Sequence, residues 1–283
     1  MVSSIAYDRL PTEQRHPGSD DLERLSTSAL VRLMHREDVR AVAAVGRALP
    51  TIVRAATLIA HRLRRGGRLW FLGAGTSGRL GVLEAAECPP TFHTDPSLIQ
   101  AIIAGGRRAV FQSQEGAEDD RPRARQVVRR RVRPGDVVVG ISASGVTPFV
   151  AEALTTARRC GARTVLITSH PRSAIPSQVR IRLAVGPEVL SGSTRLKAGT
   201  ATKLVLNMLT LGAMVRLGHT RGNWMVDVRP TSRKLRARAV RITRALTGCS
   251  ERAAARSLRA ARGRVRVAVL MASKTVSRRV IGV

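Results

Sequence analysis

Five short apolar segments, at residues 68–72, 99–103, 136–141, 164–168 and 181–185, constrain the fold more than any other feature, because helical stretches separate most of them. Strands that alternate with helices cannot pair as hairpins. They line up in parallel, with the helices packed on both faces of the sheet. The expected fold is therefore α/β. Apolar residues also recur at helical spacing between 38 and 65 (Val39, Val42, Val45, Leu49, Ile52, Ala56, Ile59, Leu63). Pro50 is expected to divide that stretch into two helices. Residues 194–217 and 232–247 read as two more, and residues 1–20 as an irregular arm.

The length of 283 residues suffices for one large α/β domain and a small appendage. Aromatics make up only 2% of the chain, so Ala, Val, Leu and Ile must build most of the core. The formal charge of +30 would point to a nucleic-acid partner, but two facts weaken that reading. Four of the 49 basic residues are lysines (Lys197, Lys203, Lys234, Lys274) and the rest are Arg, a skew that fits a GC-rich coding bias. About half the net charge also lies beyond residue 228, away from the motifs described next. No specific nucleic-acid partner is expected. Cys88, Cys160 and Cys249 form no metal-ligand spacing, so no metal is expected, and a reducing cytoplasm suits them. The first twenty residues lack the apolar centre of a signal peptide, and no apolar run reaches the ~18 residues of a membrane span.

Two strand ends carry hydroxyl-rich loops. Gly73-Ala74-Gly75-Thr76-Ser77-Gly78 follows the first strand, and Ser142-Ala143-Ser144-Gly145-Val146-Thr147 follows the third. Glycines let the backbone approach a ligand. Ser and Thr hydroxyls donate to phosphate oxygens, and a helix N-terminus favours an anion. A dinucleotide loop is the competing reading of the first motif, but no acidic residue ends the second strand to hold a ribose. Gly75, Thr76, Ser77, Ser142, Ser144, Gly145 and Thr147 are the candidate phosphate binders.

The second loop is similar to the one by which phosphosugar-isomerase-type (SIS) domains hold a sugar phosphate. Further segments narrow the likeness: Gly81 to Phe92 with Glu-Cys-Pro-Pro, Glu115-Gly116-Ala117-Glu118-Asp119, Glu188 to Thr200, and Gly222-Asn223-Trp224-Met225-Val226-Asp227-Val228. Together they resemble the N-acetylmuramic acid 6-phosphate etherases, and related segments occur in glucokinase regulatory proteins. The resemblance runs from about residue 20 to about residue 250. It implies a SIS-type parallel sheet with helices on both faces plus a small C-terminal helical region. The expected organisation is an N-terminal arm and helix (1–37), a sugar-phosphate-binding domain (38–230) and a shortened helical domain (231–283).

The same resemblance implies a carbon–oxygen lyase that needs no cofactor, acts in cell-wall amino-sugar recycling and works as a homodimer. It assigns Glu87 as proton donor and leaves Glu118 as the base. Two carboxyls suit the chemistry: the C2 proton must be removed, and the lactyl ether oxygen on C3 must be protonated as it leaves. Lys197 could meet the phosphate or the lactyl carboxylate. The alternative is a non-catalytic sugar-phosphate sensor, which would have no use for both glutamates. Position 146 is Val where the etherases usually carry Arg, position 93 is His where a small residue is common, and Ser232 stands where Asn is usual.

Overall fold

The computed structural model describes residues 10–280, with side chains through Ser273. Contacts divide the chain into two compact units. The first holds the chain up to Ala85 together with Ser97–Ala213; the second holds Ala86–Pro96 and the chain from Met214 onward.

The first unit is built on a five-stranded parallel sheet in the order β2-β1-β3-β4-β5. Its strands are β1 (Leu69–Gly73), β2 (Ile99–Ile103), β3 (Val137–Ile141), β4 (Arg163–Thr168) and β5 (Val179–Arg182). The last starts two residues before the expected 181, because the Thr164 N–H donates to the Gln178 side chain and the Gln178 N–H returns to Thr164, so β5 pairs from Val179. β1 and β3 are buried along their whole length, as expected for strands covered on both faces. Side chains alternate across the sheet. Trp70, Leu72, Val138 and Leu166 meet Ala124 and Val128 of α4 (Arg121–Arg131) and Phe149, Val150 and Leu154 of α5 (Pro148–Arg159) in one core. Trp70, Phe71 and Phe149 are among the largest fully buried side chains, so the few aromatics are spent at the centre.

The long helix α1 (Thr27–Arg64) is unbroken and begins at the Ser26 cap, whose hydroxyl accepts from the Ala29 N–H. This corrects two expectations: the helix starts well before residue 38, and Pro50 lies inside it. Pro50 deprives the Gly46 carbonyl of a donor. One continuous buried stripe offsets that loss, running from Ala41, Ala44, Val45 and Ala48 before the proline to Ile52, Ala55, Ile59 and Leu63 after it. The expected apolar face is only half core. Val39, Val42 and Leu49 are exposed, as are Val31 and Val53.

Helix α2 (Gly75–Phe92) leaves β1, α3 (Arg108–Phe111) is a single turn, and α6 (Lys197–Arg216) matches the expected helix near 194–217. α1 and α6 are both long and apolar enough to cross a membrane when hydropathy is averaged over 18 residues, which corrects the sequence reading. Scattered Arg residues hide this in α1 when only unbroken runs are sought. In α6, 56% of that window is buried within the protein, as in the core helix of a globular fold.

The second unit contains the short hairpin β6 (Thr220–Arg221) and β7 (Trp224–Met225) and the helices α7 (Arg233–Thr247), α8 (Glu251–Ala260) and α9 (Val265–Val280). Its core joins Val228, Ala239, Ile242, Leu258, Val265 and Val269. Asp227 accepts from Arg266 (2.7 and 2.8 Å) and pairs with His219 (2.9 Å), tying the hairpin region to α9.

Candidate active site

Parallel strands bring all their C-terminal ends to one edge. β1 pairs with both β2 and β3, and Gly73 lies opposite Ile103 on one side and Ile141 on the other. The loops after β2, β1 and β3 are therefore neighbours. This is also where the strand order reverses, the usual ligand crevice of such sheets. A cavity of about 370 Å³ opens there. Its lining includes Gly75, Thr76 and Ser77 from the first loop, Ser144, Val146 and Thr147 from the second, and Glu118 and Asp119 from the segment after β2.

The first loop turns directly from strand into helix. Gly78 sits so close to the strand that a Cβ would lie 2.7 Å from the Gly73 carbonyl oxygen and 2.6 Å from Ile103. The Gly78 N–H makes the first bond of the helical ladder, to Ala74 (3.1 Å). The amides of Gly75, Thr76 and Ser77 thus precede the ladder and remain available, and the Thr76 and Ser77 hydroxyls have no partner among the described residues.

The second loop divides its hydroxyls between two tasks. Ser142 is buried, pairs with the Thr147 hydroxyl at 2.8 Å and accepts from the Gly145 N–H at 3.1 Å. Gly145 has φ +72°, and a side chain there would collide with His170, Thr168 and Ser173. Ser142 and Gly145 shape the loop and are absent from the lining, whereas Ser144 and Thr147 line the cavity. Sequence motif alone could not separate these roles.

Glu118 lies in the 3-10 turn Ala117–Asp119, entered through left-handed Gly116. Its carboxyl has no hydrogen bond or ion pair among the described residues. Although it is solvent-accessible, the protein around it raises its pKa above the ordinary glutamate value, and the charges of Asp119 and Glu115 raise it further. Glu87 stands on α2 in the second unit, with an exposed carboxyl.

Lys197 differs from its expected role. It is 3% exposed, and its ammonium pairs with Glu37 at 2.5 Å rather than lining the cavity. Burial would raise the Glu37 pKa. The Lys197 hydrogen bond and the nearby His16 ring outweigh burial and hold it below its ordinary value. The cavity also has lining residues that the sequence reading missed. Leu10 and Glu13, from the supposed irregular arm, form part of its wall, and Gly192 and Thr194 complete it. Nothing in the sequence pattern marks them: Leu10, Thr12 and His16 are buried, but their spacing follows no regular helical or strand period.

Residues 51–158 match the glucokinase regulatory protein N-terminal SIS domain, and residues 119–212 match the SIS domain. The phosphoheptose isomerase from Neisseria gonorrhoeae shares the fold at a TM-score of 0.51 and 18% identity, covering 68% of this chain and 100% of that one. The N-acetylmuramic acid 6-phosphate etherase of Symbiobacterium thermophilum is 51% identical over 94% of this chain and 89% of its own length. That of Gloeobacter violaceus is 56% identical over 93% and 87%. At that identity over nearly the whole chain, the protein belongs to the N-acetylmuramic acid 6-phosphate etherase family.

Proposed function

We propose that the chain is a carbon–oxygen lyase that cleaves the D-lactyl ether of N-acetylmuramic acid 6-phosphate in amino-sugar recycling. The observation that carries this reading is the close relationship to etherases over most of the chain. The cavity supports it by placing Glu118 beside two hydroxyl-rich loops. In the open-chain sugar the C1 aldehyde acidifies the C2 proton. Glu118 takes that proton as the base, the electron pair forms the C2–C3 double bond, and the C3–O bond breaks. Glu87 gives its proton to the departing lactyl oxygen. Water then adds at C3 and the proton returns at C2, giving N-acetylglucosamine 6-phosphate and D-lactate. A raised pKa suits Glu118 as a base, because it retains the proton more strongly than an ordinary carboxylate. Thr76, Ser77, Ser144 and Thr147 hold the phosphate, with Ser142 and Gly145 shaping their loop.

In this reading sugar-phosphate binding belongs to the first unit, with Leu10 and Glu13 in its cavity wall, and the helices between Arg233 and Val280 form the helical region. The working form is a homodimer. Exposed Val31, Val42, Leu49 and Val53 lie at helical spacing on α1, and Met208 and Leu211 are exposed on α6; a second copy would cover such apolar surface. The reaction is placed in the cytoplasm, because Cys88, Cys160 and Cys249, none of them in a disulfide, suit a reducing compartment and a phosphate ester does not cross a bilayer. The test is to incubate purified protein with N-acetylmuramic acid 6-phosphate and measure D-lactate. Absence of lactate from folded protein would overturn the activity.

A further inference from the structure

We propose that Glu13, carried on an N-terminal strap, contacts the sugar of the bound phosphosugar by accepting hydrogen bonds from its hydroxyl or amide groups, and that the buried cluster of His16, Glu37 and Lys197 positions it. The inference rests on the sugar-phosphate reading of the cavity.

The strap spans residues 10–18. Leu10, Thr12 and His16 are buried, while Glu13 faces the cavity that it lines with Glu118 and Asp119. Two of its carbonyls are held from outside: the Gly192 N–H donates to Thr12 at 2.9 Å, and the Ser191 hydroxyl donates to Gln14 at 3.4 Å. The Thr12 hydroxyl donates to Glu13 Oε1 at 3.0 Å, which fixes the carboxylate's direction. The other oxygen lies beside Gly192, where a side chain would bring its Cβ within 3.0 Å of Oε2.

Behind the strap sits the ionic cluster. His16 Nδ1 accepts from the Gly18 N–H at 3.1 Å, so the ring's proton is on Nε2, which lies 3.1 Å from Glu37 Oε1. Glu37 Oε2 meets the Lys197 ammonium, and Arg40 reaches Glu37 Oε1 at 2.7 Å. Lys197 is fixed in turn, because Glu188 accepts from the backbone N–H of Lys197 (3.2 Å) and Ala198 (2.9 Å). His16, Glu37 and Lys197 are each under 5% exposed. Removing Lys197 takes from buried Glu37 its buried cation and leaves it to the exposed Arg40.

The chemistry of the lining indicates what Glu13 contacts. The described lining residues include three carboxylates (Glu13, Glu118, Asp119) and no basic side chain. An ionised carboxylate only accepts hydrogen bonds. It repels a phosphate or a lactyl carboxylate and pairs with the O–H and N–H donors of the sugar. The hydroxyl loops therefore hold the phosphate while Glu13 reads the sugar.

Calorimetric titration of the full chain with N-acetylglucosamine 6-phosphate and, separately, with inorganic phosphate tests this. Glu13→Ala should weaken sugar-phosphate binding roughly tenfold to a hundredfold, the range for a hydrogen bond to a charged group. Its affinity for inorganic phosphate should be unchanged. Glu13→Gln, which keeps an acceptor oxygen, should recover part of the loss. Lys197→Met should give the same selective pattern through the strap. The inference is overturned if Glu13→Ala binds the sugar phosphate like the parent protein, or if it loses both ligands in proportion, as a collapsed wall would. If inorganic phosphate does not compete with the sugar phosphate in the parent protein, the site reading itself fails before any variant is made.

Discussion

The two edges of the central sheet handle carboxylates in opposite ways. At the edge where β3 begins, Asp136 is 2% exposed and fully engaged. It accepts from the Arg68 backbone (2.9 Å) and guanidinium (2.8 Å), the Trp70 indole (3.0 Å) and the Arg133 backbone (3.0 Å). Burial would raise its pKa, but these donors prevail and hold it below the ordinary value. At the opposite edge Glu118 has no such donors, and its pKa moves up. One carboxylate is committed to structure. The other is left free to exchange a proton, and the contrast shows that partners rather than residue type decide the role.

The largest effect should come from the free edge. Glu118→Gln and Glu87→Gln should each fold and lose roughly 10²–10⁴ in turnover, the usual worth of one positioned acid or base. Exchange of the C2 proton with solvent deuterium should stop in Glu118→Gln and partly persist in Glu87→Gln. The reverse pattern would swap the roles, and near-parental turnover in both would leave a sensor. Next comes the committed edge. Asp136→Ala leaves Arg68 without its partner and should cost about 3–5 kcal/mol of stability in denaturant unfolding. A loss of turnover without a loss of stability would break the comparison.

A smaller effect is expected from the phosphate loops. Ser144→Ala should cost about 1–3 kcal/mol of sugar-phosphate affinity, read by calorimetry. Turnover that is equal with and without the 6-phosphate would contradict this assignment. Acidification should give the gentlest slope. With Glu118 as the proposed base, the rate should fall about tenfold per pH unit once the pH is below its raised pKa, which lies above 4.5. Asp136 has a depressed pKa, so its contribution is fully present above 3.8 and is lost only as pH falls through a still lower value. Lactate release should therefore vanish while circular dichroism still reports a folded chain. Simultaneous loss of both would mean that the two edges titrate together.

The sheet was legible because buried parallel strands leave compact apolar runs, and β2 matched its expected limits residue for residue. The two hydroxyl-rich loops at the cavity were legible because glycine and hydroxyl residues cluster at strand ends. Helix α1 was misread because a proline rule is local, whereas the stripe that carries the helix past Pro50 is made by tertiary packing. The Lys197 ion pair was not legible because sequence gives a charge but not its partner; Glu37 lies 160 residues away. Glu13 was passed over because its strap has no periodicity. Its place in the wall depends on the contact of Thr12 with distant Gly192 and on the pairing of His16 with Glu37.

Among the described residues the cavity lining carries no basic side chain, which has a kinetic consequence in a chain carrying +30. Long-range attraction draws every anion toward the surface and is screened by salt within about 8–10 Å. In the proposed binding mode retention depends instead on neutral hydroxyls and amides at close range, which salt scarcely touches. Capture and residence are thereby governed by separate forces, and raising ionic strength should slow the arrival of substrate far more than it shortens its stay.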